Sequence, residues 1–166
     1  SMAIYLLFLQ HIFHILDDRG KAAIVVPTGF LTAQSSIDKK IRQKLVDEKM
    51  LSGVITMPSN IFATTGTNVS ILFIDKGNDD DVILINASDL GEQVKEGKNK
   101  KTILSTSDEQ QIIDSFTQKK SLDDFSVLVS TESIAEKNYS FSAGQFFDIK
   151  IDYEDISRED FDLQIA

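Results

Sequence analysis

Gly20-Lys21-Ala22-Ala23-Ile24-Val25-Val26-Pro27-Thr28-Gly29-Phe30-Leu31 is a short apolar run stopped by a proline and followed by a glycine-containing turn. Ala22 to Val26 has no polar interruption, the pattern of a central parallel strand covered on both faces. Pro27 ends it, because proline cannot donate to a ladder. A second run, Gly53-Val54-Ile55-Thr56-Met57, is also closed by a proline, Pro58. Between the two, Ser35 or Ser36 can cap a helix in which Ile37, Ile41 and Leu45 recur every four residues. In that helix Asp38, Lys39, Lys40, Arg42, Gln43 and Lys44 are expected to face water. The whole reads as strand, helix, strand, with both strands delivering a loop to one edge of a sheet.

Working outward, Ile4, Leu7, Phe8, Ile12, Ile15 and Leu16 recur at helical spacing, while Leu6, Leu9 and Phe13 make the opposite face apolar too. That helix needs cover on most sides and should end near Gly20. Downstream, Val69 to Ile74 is a third strand rich in β-branched residues, and the loop before it is too short for a helix. It should therefore run antiparallel to the second strand. Val82 to Ile85 is a fourth apolar run suited to the sheet's edge.

Beyond it the texture changes. Lys95 to Lys101 reads as a polar, mobile loop, and Ser107-Asp108-Glu109-Gln110 as a capping box opening a helix through Ile112, Ile113 and Phe116. Phe125 to Val129 suits a short strand and Thr131 to Glu136 a short helix. Tyr139, Phe141, Phe146 and Phe147 would anchor an irregular tail, and Asp152 to Asp162 is acidic without periodicity. These patterns predict an α/β unit over residues 3–88 and an α+β extension with an acidic tail over residues 89–166.

With 166 residues and 42% hydrophobic content the chain can bury one substantial core. It contains no apolar run of the roughly 18 residues that would span a bilayer and no signal-peptide layout, which points to the cytoplasm. The absence of cysteine excludes disulfides and thiolate metal sites. His11 and His14, three apart on an apolar helix, fit packing or a helix-end hydrogen bond better than a metal. The formal charge of −9 opposes general attraction to phosphate, so nucleic-acid contact would need a local surface or a partner chain. Lys95, Lys98, Lys100 and Lys101 form one such basic stretch, which reads as readily as a solvated loop. No Gly-x-Gly loop links a strand to a helix, and no nucleophile sits in a recognisable motif.

Several blocks, in order, resemble the modification (methyltransferase) subunit of type I restriction-modification systems, a family of N6-adenine DNA methyltransferases. They are Phe8-Leu9-Gln10-His11 with Leu16 and Gly20, Ala23 to Leu31 with its Pro-x-Gly-x-Leu turn, and Ile41-Arg42 with Leu45. Gly53-Val54-Ile55, Pro58, Phe62 and the Thr-rich hairpin before Ile71-Leu72-Phe73 complete the set. The resemblance covers Phe8 to about Phe147. It implies the later half of a Rossmann-like methyltransferase fold, ending in an antiparallel hairpin, with a small irregular α+β extension.

In such a family the glycine-rich methyl-donor loop and the Asn/Asp-Pro-Pro-aromatic tetrapeptide lie upstream of a helix like Ile4 to Leu16. Neither occurs in this sequence, nor is the family's long C-terminal helix evident after Asp152, so the chain is expected to be a fragment cut at both ends. The resemblance implies S-adenosylmethionine as cofactor of the intact parent and none for this chain, which should be inactive alone. Its implied partners are the specificity and restriction subunits and, in the assembly, DNA. Self-association through an exposed sheet edge is also expected. A non-catalytic interaction module derived from such a subunit is the competing reading, and it predicts a closed fold with no bare edge.

No catalytic or metal-binding residue is assigned. Phe62 matches the aromatic residue that stacks on an extruded adenine in related enzymes; the alternative is a ring closing the core at a strand end. Asn60, Thr64, Thr65 and Asn68 suit hydrogen bonds to a nucleotide, and suit turns equally well. Pro27 and Thr28 fall at the carboxyl end of a strand, where open α/β sheets place ligands, and also where strands ordinarily stop.

Overall fold

The computed structural model describes residues 4–62 and 67–148. Helix α1 (Ile4–Ile15) leads into β1 (Lys21–Pro27), a 3-10 turn at Thr28–Leu31, helix α2 (Ser36–Asp47), β2 (Leu51–Thr56), β3 (Val69–Asp75) and β4 (Val82–Asn86). A hairpin of β5 (Glu92–Glu96) and β6 (Asn99–Ile103) follows, then α3 (Thr106–Thr117), β7 (Ser126–Val129), α4 (Thr131–Glu136) and a 3-10 turn at Ala143–Gln145. The expected α/β class is what the chain adopts.

Five strands form one mixed sheet in the order β1-β3-β2-β4-β7. β3 runs antiparallel to both β1 and β2, as the short connection requires, and it lies between them. β1 is therefore not a central parallel strand. Among the described residues its only neighbour is β3, its side chains alternate between covered and open, and Val25 is 47% exposed. An unbroken apolar run reports the absence of polar side chains and says nothing about the direction of the adjacent strand.

The fourth apolar run is also displaced from its expected place. β4 lies inside the sheet, parallel to β2 on one side and antiparallel to β7 on the other. Burial of Val82, Ile83, Leu84 and Ile85 to within 1% follows from cover on both faces. β7 thus ties residues 126–129 into the sheet begun by β1.

On one face α1, α2 and α4 pack with Phe30, Leu31 and Phe141 over Val26, Val54, Leu72 and Leu84. On the other, α3 lays Ile112 and Phe116 on Ile55, Ile83 and Phe73. Gly53 makes that second contact possible, since a β-carbon there would stand 2.7 Å from the Phe116 ring and 3.0 Å from the Ile83 carbonyl oxygen. α3 covers only part of its face, and Ala23 and Val25 of β1 stay open.

Local signals explain most element ends. The Ser35 side chain accepts from the Asp38 backbone and starts α2. α3 begins two residues before the expected position, because the reciprocal box is Ser105 with Asp108 and not Ser107 with Gln110. Both Ser-x-x spacings satisfy the pattern, and the earlier one forms.

The basic stretch at residues 95–101 was expected to be a loop and is a hairpin. Glu92 to Glu96 pair with Asn99 to Ile103 across a two-residue turn in which Gly97 takes φ +64°, a conformation that favours glycine. Among the described residues, no helix is long and apolar enough to cross a membrane. The acidic stretch from Asp152 to Asp162 and residues Thr64 and Thr65 lie outside the described residues.

Candidate functional site

β1, β2 and β4 point the same way, so Thr28, Thr56 and Asn86 arrive together at their carboxyl ends. They line a groove of about 240 Å³ with Leu31, Ser142 and Gly144. Ladder ends hold its floor. The Thr28 N–H donates to the Asn68 carbonyl at 2.8 Å, Met57 N–H to Val69 at 3.0 Å, and Ala87 N–H to Thr56 at 2.9 Å. The Thr28 and Ser70 hydroxyls lie 3.0 Å apart, which links the 3-10 turn to the strand beside it. Crevices outside the carboxyl ends of open α/β sheets are where such folds bind ligands.

Arg42 fixes the wall of this groove, contrary to the expectation that it faces water. Its side chain is fully buried. Nη1 donates to the Phe30 carbonyl at 2.6 Å, Nη2 to Ala33 at 2.7 Å and Nε to Tyr139 at 2.7 Å. The guanidinium carbon lies 5.6 Å from the Phe30 ring centre and 5.9 Å from that of Phe141. The turn at residues 30–33 and the segment at Tyr139 are thereby both tied to α2 by one planar fork, a geometry that a lysine cannot supply. Phe141 N–H completes the corner by donating to the Leu31 carbonyl at 3.0 Å.

Burial lowers the Arg42 pKa from its ordinary value, while nearby Asp38 and Tyr5 oppose that shift. The group stays charged because arginine starts so high. Tyr5 donates to Asp38 Oδ1 at 2.8 Å, and burial followed by this hydrogen bond pushes its hydroxyl up to about 12.

The structure places the sequence-predicted residues unevenly. Pro27, Thr28 and Asn68 meet at the carboxyl edge, where Pro27 pairs with Val69 and Thr28 with the Asn68 backbone. Phe62 lies in the loop after β2, is 49% exposed and belongs to neither apolar cluster, so the ring does not close the core. Asn60 adopts φ +55°, and its carbonyl accepts the Thr102 N–H at 3.0 Å. Thr102 Oγ1 also donates to the Ser59 carbonyl at 2.6 Å. The loop before Phe62 is thus pinned to β6.

Sequence reasoning missed Thr56, Asn86, Ser142 and Gly144. Thr56 and Asn86 are the last residues of β2 and β4, a signal that becomes readable once the two strands are known to be parallel. His11 and His14 are exposed on α1, and no group of three His, Cys, Asp or Glu side chains able to hold a metal occurs among the described residues. A larger hollow of about 360 Å³ lies near the opposite end of β1, bordered by Lys21, Asp75 and Phe116. Lys21 Nζ and Asp75 Oδ2 are ion-paired there at 2.9 Å.

Helices on both faces of a mixed sheet, with β3 reversed between β1 and β2, define a Rossmann-like α/β protein of the methyltransferase type. The chain belongs to the N-6 DNA methylase family, which matches it over residues 2–165. It is 34% identical over 153 residues to the type I restriction enzyme MpnII methylase subunit of Mycoplasma pneumoniae, covering 91% of this chain and 27% of that protein. To the MjaIX methylase subunit of Methanocaldococcus jannaschii it is 27% identical over 167 residues, covering 93% of this chain and 29% of that protein. Among solved structures, a type I restriction-modification methyltransferase subunit from Streptococcus thermophilus superposes with a TM-score of 0.78 at 29% identity, covering 89% of this chain and 31% of the other. The chain thus spans less than a third of the length of these relatives.

Proposed function

We propose that this chain forms one wall of the adenine-binding cleft of a type I modification subunit. The whole protein would use S-adenosylmethionine to methylate the exocyclic amine of adenine in DNA, in company with specificity and restriction subunits. The observation that carries the reading is the exposed Phe62 ring, in the loop that follows β2, whose last residue Thr56 lines the groove with Thr28 and Asn86. An adenine turned out of the duplex needs such an aromatic surface to stack on. Asn60, Thr65, Asn68, Pro27 and Thr28 would shape the approach to that surface. Residues 3–88 form the cleft wall in this reading, and residues 89–166 a supporting extension.

No residue of this chain is assigned to methyl transfer or to holding the cofactor. In this reading the chain alone is inactive, works in the cytoplasm as part of an assembly, and self-associates through the edge of β1 that no described strand covers. Among the described residues that edge is uncovered, which favours a piece of an enzyme over a self-contained interaction module.

The test compares binding of the chain to a duplex containing an extrahelical adenine and to its fully paired counterpart. The extrahelical form binds more tightly by about 1–3 kcal/mol, and Phe62→Ala removes the preference. Equal affinity of the unaltered chain for both duplexes, or measurable turnover of labelled methyl donor by the chain alone, overturns the proposal.

A further inference from the structure

The β5–β6 hairpin carries four lysines against two glutamates between residues 92 and 103, in a chain whose net charge is −9. Its register sets Lys95 directly opposite Lys100. The Thr102 N–H is directed to Asn60, so the Gln93–Thr102 pair is of the non-hydrogen-bonded kind, and alternation makes Lys95–Lys100 another. Side chains stand closest in such pairs, and like charges facing each other there are destabilising. Both lysines are exposed, and among the described residues neither has an ion-pair partner.

The side-chain period of two puts Lys95 and Lys100 on the same face as Thr102. Thr102 is 4% exposed, and its hydroxyl donates to the Ser59 carbonyl, so this face is the one turned toward the loop that leads to Phe62. Two backbone segments are locked together by two hydrogen bonds at the hairpin's root, and a repulsive lysine pair extends from there toward the tip. A polyanion lying across that face would relieve the repulsion.

The geometry points to the Lys95–Lys100 face as a clamp for the phosphate backbone of duplex DNA, held at a fixed offset from Phe62 by Thr102. This assignment rests on the adenine-cleft reading above and adds to it a positioning surface that carries no base specificity. Lys98 lies in the two-residue turn at the tip of the same hairpin.

Salt dependence tests it, because each phosphate neutralised contributes about 0.9 to the slope of log affinity against log salt. Binding of the chain to the paired and the extrahelical-adenine duplexes is titrated from about 50 to 200 mM salt, alongside K95Q/K100Q and K95R/K100R. The glutamine variant lowers the slope by about two on both duplexes, so that affinity across this range falls roughly tenfold less steeply. The arginine variant retains the slope, and the adenine preference is the same in all three proteins. An unchanged slope in K95Q/K100Q overturns the clamp, as does polyglutamate of equal charge binding as tightly as the duplex, which would mark an acidic protein as the partner. Loss of the glutamine variant's slope together with no adenine preference in any protein would sink the cleft reading and leave the clamp standing.

Discussion

The two ends of the five-stranded sheet are finished in different ways. At one end β7 is four residues long, a tight turn links Leu122 to Ser126, and the Leu128 N–H is directed to the Ser121 hydroxyl at 3.1 Å. A short strand whose outward donor is already engaged offers little to a further strand. At the other end β1 runs for seven residues with Val25 47% exposed, and α1 beside it leaves Ile4, Phe8 and Ile15 at least 60% exposed. Single exposed apolar residues are ordinary, but a long apolar edge strand beside an apolar helix face is a surface that calls for cover. One end of the sheet is thus closed by its own chain, and the other leaves apolar side chains of β1 and α1 open.

Removing Arg42 should break this contrast from the covered side. Arg42→Ala leaves three carbonyls without a donor and opens a hole between Phe30 and Phe141, for a loss of about 3–5 kcal/mol in urea unfolding. Arg42→Lys loses less but does not restore the three-way fork. Gly53→Ala should cost about 1–3 kcal/mol by driving a methyl group into Phe116 and Ile83, and a smaller residue at Phe116 should recover part of it.

Alkaline titration sharpens the comparison at the α1–α2 contact. Tyr5 is neutral in its bond to Asp38, and its folded pKa of about 12 lies above the unfolded value near 10. Its contribution is therefore complete below pH 10 and is lost as the pH rises through 12. Tyrosinate absorbance should show a late-titrating component that Tyr5→Phe removes. The smallest effect on stability is expected at the open edge. Val25→Lys should change unfolding free energy by no more than about 0.5 kcal/mol while reducing self-association in sedimentation.

Strand positions were legible because the apolar runs 22–26, 53–57, 69–74 and 82–85 are short and bounded by Pro, Gly or Asp. Their neighbours were not, since pairing partners depend on contacts distant in sequence, and β3 entered between β1 and β2 without a local signal. Steps of four from Ile37 place Arg42 toward water. The buried stripe of α2 is instead Ile41, Arg42, Leu45 and Val46, and Ile37 is 40% exposed. Val46, apolar and one turn beyond Arg42, was the available clue.

Lysines give the β5–β6 hairpin the composition of a loop, although Gly97 at the head of a two-residue turn is a hairpin signal. Of the groove, Pro27 and Thr28 were visible at the strand end. Ser142 and Gly144 reach it from more than 110 residues away, through the Arg42 corner.

The root of the β5–β6 hairpin has a consequence for how its length can vary. Thr102 grips Ser59 and Asn60 below the tip, so residues added or deleted beyond it alter the reach of the lysines without displacing that grip. Such changes must come as two residues on each strand: one on each would keep Lys95 opposite Lys100 but turn both away from the Thr102 face, and a single-residue insertion would also carry Lys100 out of line with Lys95. The span between grip and tip is therefore a ruler that can be reset only in matched steps.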